Sequence, residues 1–135
     1  LLVFGRLAHG EIFKRGYLLD SWKVVRNGQL VWTDALRLDG DATAVMTEPA
    51  GFGGAVSMAT FIYVAGDACL QLEAARDLLA GCETRYGVSC VNGILIARFL
   101  SPHPSALRVD YGRFWAGIRE RVSGLPPNLP RIWHT

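Results

Sequence analysis

Apolar and polar positions alternate with a period of two through "EIFKRGYLLDSWKVVRNGQLVWTDALRLDG", a spacing that sends successive side chains to opposite faces of a strand. Asn27-Gly28 interrupts the run with the dipeptide that best tolerates positive φ at both centres of a type I′ turn, so the stretch predicts a hairpin. A two-residue loop there sets Val25 opposite Leu30, Leu19 opposite Leu36 and Tyr17 opposite Leu38 on the candidate core face. The other face pairs Arg26 with Gln29, Val24 with Val31 and Lys23 with Trp32; only half apolar, it is left to solvent or a partner. "MTEPAGFGGAVSMATFIYVAG" then predicts a strand near Thr43 to Glu48, a glycine-rich reversal and a β-branched, aromatic strand ending at Val64.

Helical spacing takes over at Asp67, a candidate N-cap, and runs to Gly81 as a left-handed stop. Ala68, Leu72, Ala75 and Leu79 fall on one side, and Glu73 can pair with Arg76 on the other. A second hairpin, "YGVSCVNGILIARFL", turns at Asn92-Gly93 and pairs Cys90 with Leu95, Val88 with Ala97 and Tyr86 with Phe99, all apolar, which predicts a central position. Ser105 can cap a last helix in which Leu107, Tyr111, Phe114, Trp115, Ile118 and Val122 recur until Gly124. The sum is an α+β fold, a mostly antiparallel sheet with hairpins and two α-helices, in a single domain over residues 1–135.

Composition narrows the function classes. Charged residues make up 19% of the chain against about 25% in ordinary soluble domains, so some apolar surface is expected to meet another chain. A net charge of +2, with acidic residues mixed among Arg108, Arg113, Arg119 and Arg121, gives no field of the kind nucleic acid needs. The longest apolar run, around Ala55 to Gly66, is well short of a membrane span, and no secretory signal is seen. Cys69, Cys82 and Cys90 are odd in number and without CxxC spacing; they read as small buried hydrophobes rather than a disulfide framework, in a reducing, cytoplasmic compartment. The chain starts at Leu1 inside structured-looking sequence and reads as part of a longer protein.

Motifs for catalysis are missing. His9, His103 and His134 are scattered, "GFGGAV" lacks the lysine and hydroxyl of a P-loop, and no serine sits in a nucleophile elbow. Glu11, Asp34 and Glu48 lie in strand-like apolar sequence, where with Arg6 and Arg15 they can line a wet channel; a structural ion pair or plain surface exposure is the preferred reading for any one of them. The closing "LPPNLPRIWHT" holds Arg131, Ile132 and Trp133 behind prolines that keep it extended, so Trp133 can anchor the tail onto its own body, the preferred reading, or into a partner.

Three ordered stretches carry a resemblance: Gly5, Arg6, Ala8, Gly10, Glu11 and Phe13; then Arg26, Gly28, Leu30, Trp32 and Asp34, with Arg37 after them; and Pro130, Arg131, Ile132, Trp133 and Thr135 at the end. Together they resemble the C-terminal half of the urease accessory protein UreD (UreH) family. The resemblance implies a non-enzymatic maturation chaperone that binds apo-urease subunits and, with a helical urease accessory protein and a nickel-carrying GTPase accessory protein, delivers Ni²⁺ in transit, with no cofactor of its own. A moving Ni²⁺ needs a hydrated path of weak oxygen or nitrogen groups, because closed coordination would trap it. Arg6, Glu11, Asp34, Glu48, Arg131 and Trp133 are the candidates for that path or for partner contact. The competing class is a small-molecule-binding or enzymatic α+β domain, whose mark would be an apolar pocket with convergent carboxylates.

Overall fold

A computed structural model describes residues 2, 3 and 12–130, the first two as backbone only. Four strands form an antiparallel sheet in the order β1 (Leu2–Val3), β4 (Ser57–Val64), β6 (Ile94–Ser101), β5 (Arg85–Val91). A separate long hairpin joins β2 (Arg15–Arg26) to β3 (Gln29–Asp41). Helices α1 (Thr43–Thr47), α2 (Leu72–Leu79) and α3 (Pro104–Ser123) complete the α+β fold.

The Ile94–Ser101 strand is central, and its alternation feeds two cores. Leu95, Ala97 and Phe99 join Ala59, Leu79, Leu107, Phe114 and Ile118 beneath α2 and α3. Phe114 meets Phe61 and Phe99 edge-on at centroid distances of 5.1 and 5.5 Å. Beneath the opposite face, Leu100 and Met58 pack with Leu38, Met46, Phe52 and Ala55, the core that the long hairpin and α1 close.

Both Asn-Gly turns form as the sequence predicts, with φ of 53° and 78° at Asn27 and Gly28 and 50° and 74° at Asn92 and Gly93. The second hairpin keeps the expected register throughout, Cys90 with Leu95, Val88 with Ala97 and Tyr86 with Phe99, although only its β6 half is central and β5 borders the sheet. The first hairpin departs from expectation. Val25 does face Leu30, but Val24 pairs with Trp32, leaving Val31 as an extra residue on β3. That bulge moves every later pair by one: Lys23 faces Thr33 rather than Trp32, Leu19 faces Arg37, and Leu18 rather than Tyr17 faces Leu38. Leu18, Leu36 and Leu38 therefore turn to the core, while Tyr17 and Leu19 are 63% and 52% exposed.

Other boundaries are also corrected. The strand expected near Thr43 to Glu48 is the helix α1: the Thr43 N–H donates to Asp41 Oδ1 at 2.9 Å, and Met46 inserts into the hairpin core. Asp67 does not cap a helix with its side chain. Its carboxylate accepts from the Tyr63 hydroxyl and from Gln71 Nε2, both at 2.8 Å, which holds it below the ordinary carboxylate range, and a 3-10 turn (Ala68–Gln71) precedes α2. The last helix starts at Pro104 rather than after Ser105, because proline fits a first turn where no N–H is needed; it ends at Gly124 with φ 64°, as expected.

The cysteine reading is overturned. Cys69 is exposed, and it joins Cys90 in a disulfide across a Cα separation of 5.4 Å, which withdraws the cysteine argument for a reducing compartment. Cys82 keeps a thiol that burial pushes up, with Arg113 donating to its sulfur at 3.3 Å. No helix among the described residues is long and apolar enough to cross a membrane.

The bulge makes a measurable distinction. In urea unfolding, Leu38→Ala is expected to cost about 2–5 kcal/mol and Leu19→Ala no more than about 0.5 kcal/mol. An unbulged hairpin would make Leu19 costly as well.

Candidate functional site

The long hairpin lies over the sheet face that carries Ile96, Arg98 and Leu100, and polar contacts fix it there at two places. At the tips, Arg26 donates to the Gly93 carbonyl at 3.2 Å, and Asn92 Nδ2 donates to the carbonyl of the bulge residue Val31 at 2.8 Å. Midway, Arg98 Nη2 donates to Asp34 Oδ2 at 2.5 Å. Arg98 interrupts the apolar strand "ILIARFL", so its guanidinium needs an acceptor on the facing layer, and Asp34, on the same face of β3 as Leu36 and Leu38, supplies it.

That ion pair stands between two open clefts. One, of about 440 Å³, is lined by Trp32, Val88, Ser89, Ile96 and Arg98. The other, of about 320 Å³, is lined by Asp34, Leu36, Val45, Phe52, Met58 and Arg98. Both walls are mainly apolar, and among the described residues no three His, Cys, Asp or Glu side chains converge on a metal-sized space. The arrangement supplies one partly exposed carboxylate already committed to a guanidinium: a weak oxygen ligand, with no adjacent base and nucleophile among the described residues.

The candidate residues separate accordingly. Asp34 lies on a cleft wall and, among the described residues, is paired with Arg98 rather than with Arg15. Glu48 is exposed just beyond α1, where its backbone carbonyl accepts from Gly51 and Gly53 while its carboxylate faces solvent. Arg6, Glu11, Arg131 and Trp133 lie outside the described residues. The start of the closing segment does run back along α3: Arg119 donates to the Pro126 carbonyl, and Leu129 packs over Gly112, where an added Cβ would come within 3.3 Å of it.

Sequence reasoning missed Arg98, Arg26 and Asn92 as the groups that hold the hairpin down. It also missed Asp110, a buried carboxylate that accepts the N–H groups of Glu83 and Thr84 at 2.9 and 3.0 Å. Arg98 left a signal, a charge in an apolar strand; Asp110 showed only Arg113 three positions on, an ordinary helix-surface pair at 3.5 Å, because the N–H groups it accepts lie far along the chain.

The two strand layers and one helix layer define an α+β platform with a long apolar-faced hairpin. The chain belongs to the UreD urease accessory protein family, whose model matches residues 1–134. Among curated relatives, it is 42% identical to the urease accessory protein UreD of Methylobacterium sp. over 139 residues, which cover 99% of this chain and 47% of that protein. It is likewise 42% identical to UreD of Xanthobacter autotrophicus over 134 residues (99% and 44%), and 38% identical to UreD of Magnetococcus marinus over 138 residues (98% and 47%). The chain thus spans about half the length of these relatives, and corresponds to their C-terminal part.

The exposure of the ion pair bounds its worth. Arg98 and Asp34 side chains are 53% and 36% exposed, so a double-mutant cycle with Arg98→Met and Asp34→Asn should give a coupling of about 1 kcal/mol or less, screened by salt. A salt-insensitive coupling of about 3 kcal/mol would show that the pair is sealed from water.

Proposed function

We propose that this chain forms the C-terminal part of a urease-maturation scaffold that binds apo-urease and, with a helical accessory protein and a nickel-carrying GTPase, helps pass Ni²⁺ to the urease site. The observation that carries the reading is the family match over nearly the whole chain, together with relatives named as urease accessory proteins. The surface adds physical support. Tyr17, Leu19, Val25 and Leu30 are more than half exposed along one hairpin, an amount of apolar area that suits protein partners better than water. The scaffold needs no turnover and no resident cofactor, and it works in the cytoplasm, where the Cys69–Cys90 pair would have to resist a reducing pool.

In this reading the ion is cargo, and the residues it passes must release it. A carboxylate shared with a guanidinium, as Asp34 is with Arg98, binds a divalent cation weakly and fast, whereas a closed set of thiolates or imidazoles would hold it. Glu48 offers a second oxygen ligand at the surface beyond the same cleft. Arg6, Glu11, Arg131 and Trp133 are proposed as further path or partner contacts.

The test uses the full-length protein with urease subunits and the other accessory proteins. Asp34→Ala and Glu48→Ala are expected to leave co-purification of the complex intact and to lower nickel-dependent urease activation several-fold. Unchanged activation would remove both residues from the path, and fully metallated urease in cells lacking the protein would overturn the scaffold reading.

A further inference from the structure

The four-stranded sheet is finished on one side of β4 and unfinished on the other. Toward β6, all eight residues of β4 are paired, from Ser57 with Ser101 to Val64 with Ile94. Toward β1, only Ser57 and Met58 have partners, Val3 and Leu2. Among the described residues, Ala59 to Val64 therefore present an open edge about 20 Å long, along which alternate backbone N–H and C=O groups point outward.

A cleft runs beside that edge. It measures about 230 Å³ and is lined by Phe61, Tyr63, Ile118 and Val122, with Arg119 at its rim. Phe61 and Tyr63 pack against the helix-side core, so the cleft lies where a strand added to β4 would send every second side chain. An open edge with an apolar cleft beside it is the arrangement by which sheets take up an extended segment, main-chain bonds supplying affinity and the places for alternate side chains supplying specificity.

We propose that this edge is filled by an extended segment running antiparallel to β4 and continuous with β1, contributed by the polypeptide that precedes Leu1 in the longer proteins of this family. Register makes the assignment. Leu2 pairs with Met58 and Val3 with Ser57, so each step backward along the chain is one step forward along β4. Continued in that register, the six positions before Leu2 fall opposite Ala59 to Val64. The relatives carry more than half of their length beyond the stretch matched here, and the matched stretch is their C-terminal part. A segment already joined to β1 also reaches the edge at a far higher effective concentration than a separate chain. Its chemistry follows from the pleat: positions opposite Ala59, Phe61 and Tyr63 are apolar, because their side chains enter the cleft. This inference is independent of the role proposed in urease maturation.

Cross-linking and hydrogen exchange in the full-length protein test it. The partner of Ile62 is the third residue before Leu1. Cysteine there with Ile62→Cys should form an intramolecular disulfide under mild oxidation, found by peptide mapping; cysteine one position earlier, on the opposite face, should not. In the unmodified full-length protein, the amides of Ala59–Val64 should exchange about tenfold or more slowly than those on the outer edge of β5. Equal linking at both positions overturns the register. A disulfide between two molecules assigns the edge to a second copy, and slow exchange without any link assigns it to another segment, such as residues 131–135. Exchange as fast as at β5 leaves the edge open. Each of these results contradicts the proposal.

Discussion

The burial of β6 on both faces is the constraint on which the other elements depend. Ile94, Leu95, Ile96, Ala97 and Phe99 are each no more than 5% exposed, which requires a cover above and below the strand. The helices α2 and α3 provide one cover and the long hairpin the other. Because the strand alternates, a single sequence of eight residues addresses both layers: Leu95, Ala97 and Phe99 to the helices, Ile96, Arg98 and Leu100 to the hairpin. Arg98 is the one charged side chain in that strand, and it sits where the two layers must be held together across open clefts rather than across a packed core.

How much of this could be read from residues alone follows from the range of each interaction. The two Asn-Gly turns are local devices, since positive φ at both centres is a property of the dipeptide itself, and both hairpins were legible from them. The bulge at Val31 was not legible, because what meets it is tertiary: Asn92, 61 positions away, donates to its carbonyl. One unpaired residue then reversed the inward and outward faces of β2. The short helix Thr43–Thr47 was misread for a related reason. Its β-branched residues favour a strand, but Asp41 accepts the Thr43 N–H where the helix begins and Met46 finds a core built by residues on both sides of it.

The site was legible in part. Asp34 was singled out for a carboxylate in apolar sequence, and it does lie on a cleft wall, but its partner Arg98 is 64 positions away and could not be assigned by proximity. Cys69 and Cys90 failed for the same reason: 21 residues separate them, one before α2 and one on an edge strand, and no spacing rule joins such positions. By contrast, the family relationship was readable from three short stretches in order, and the match over residues 1–134 bears it out. Identity was thus encoded in short, ordered stretches of sequence, whereas the site geometry was encoded in contacts between layers.

Native-state hydrogen exchange along β6 tests the central claim most directly. If this strand supports both layers, the amides of Ile94–Leu100 should exchange only through global unfolding, with an opening free energy equal to that of the whole molecule, while β2 and β3 open first in smaller steps. Long-hairpin amides outlasting those of β6 would show that the two layers stand without it, and would contradict the account.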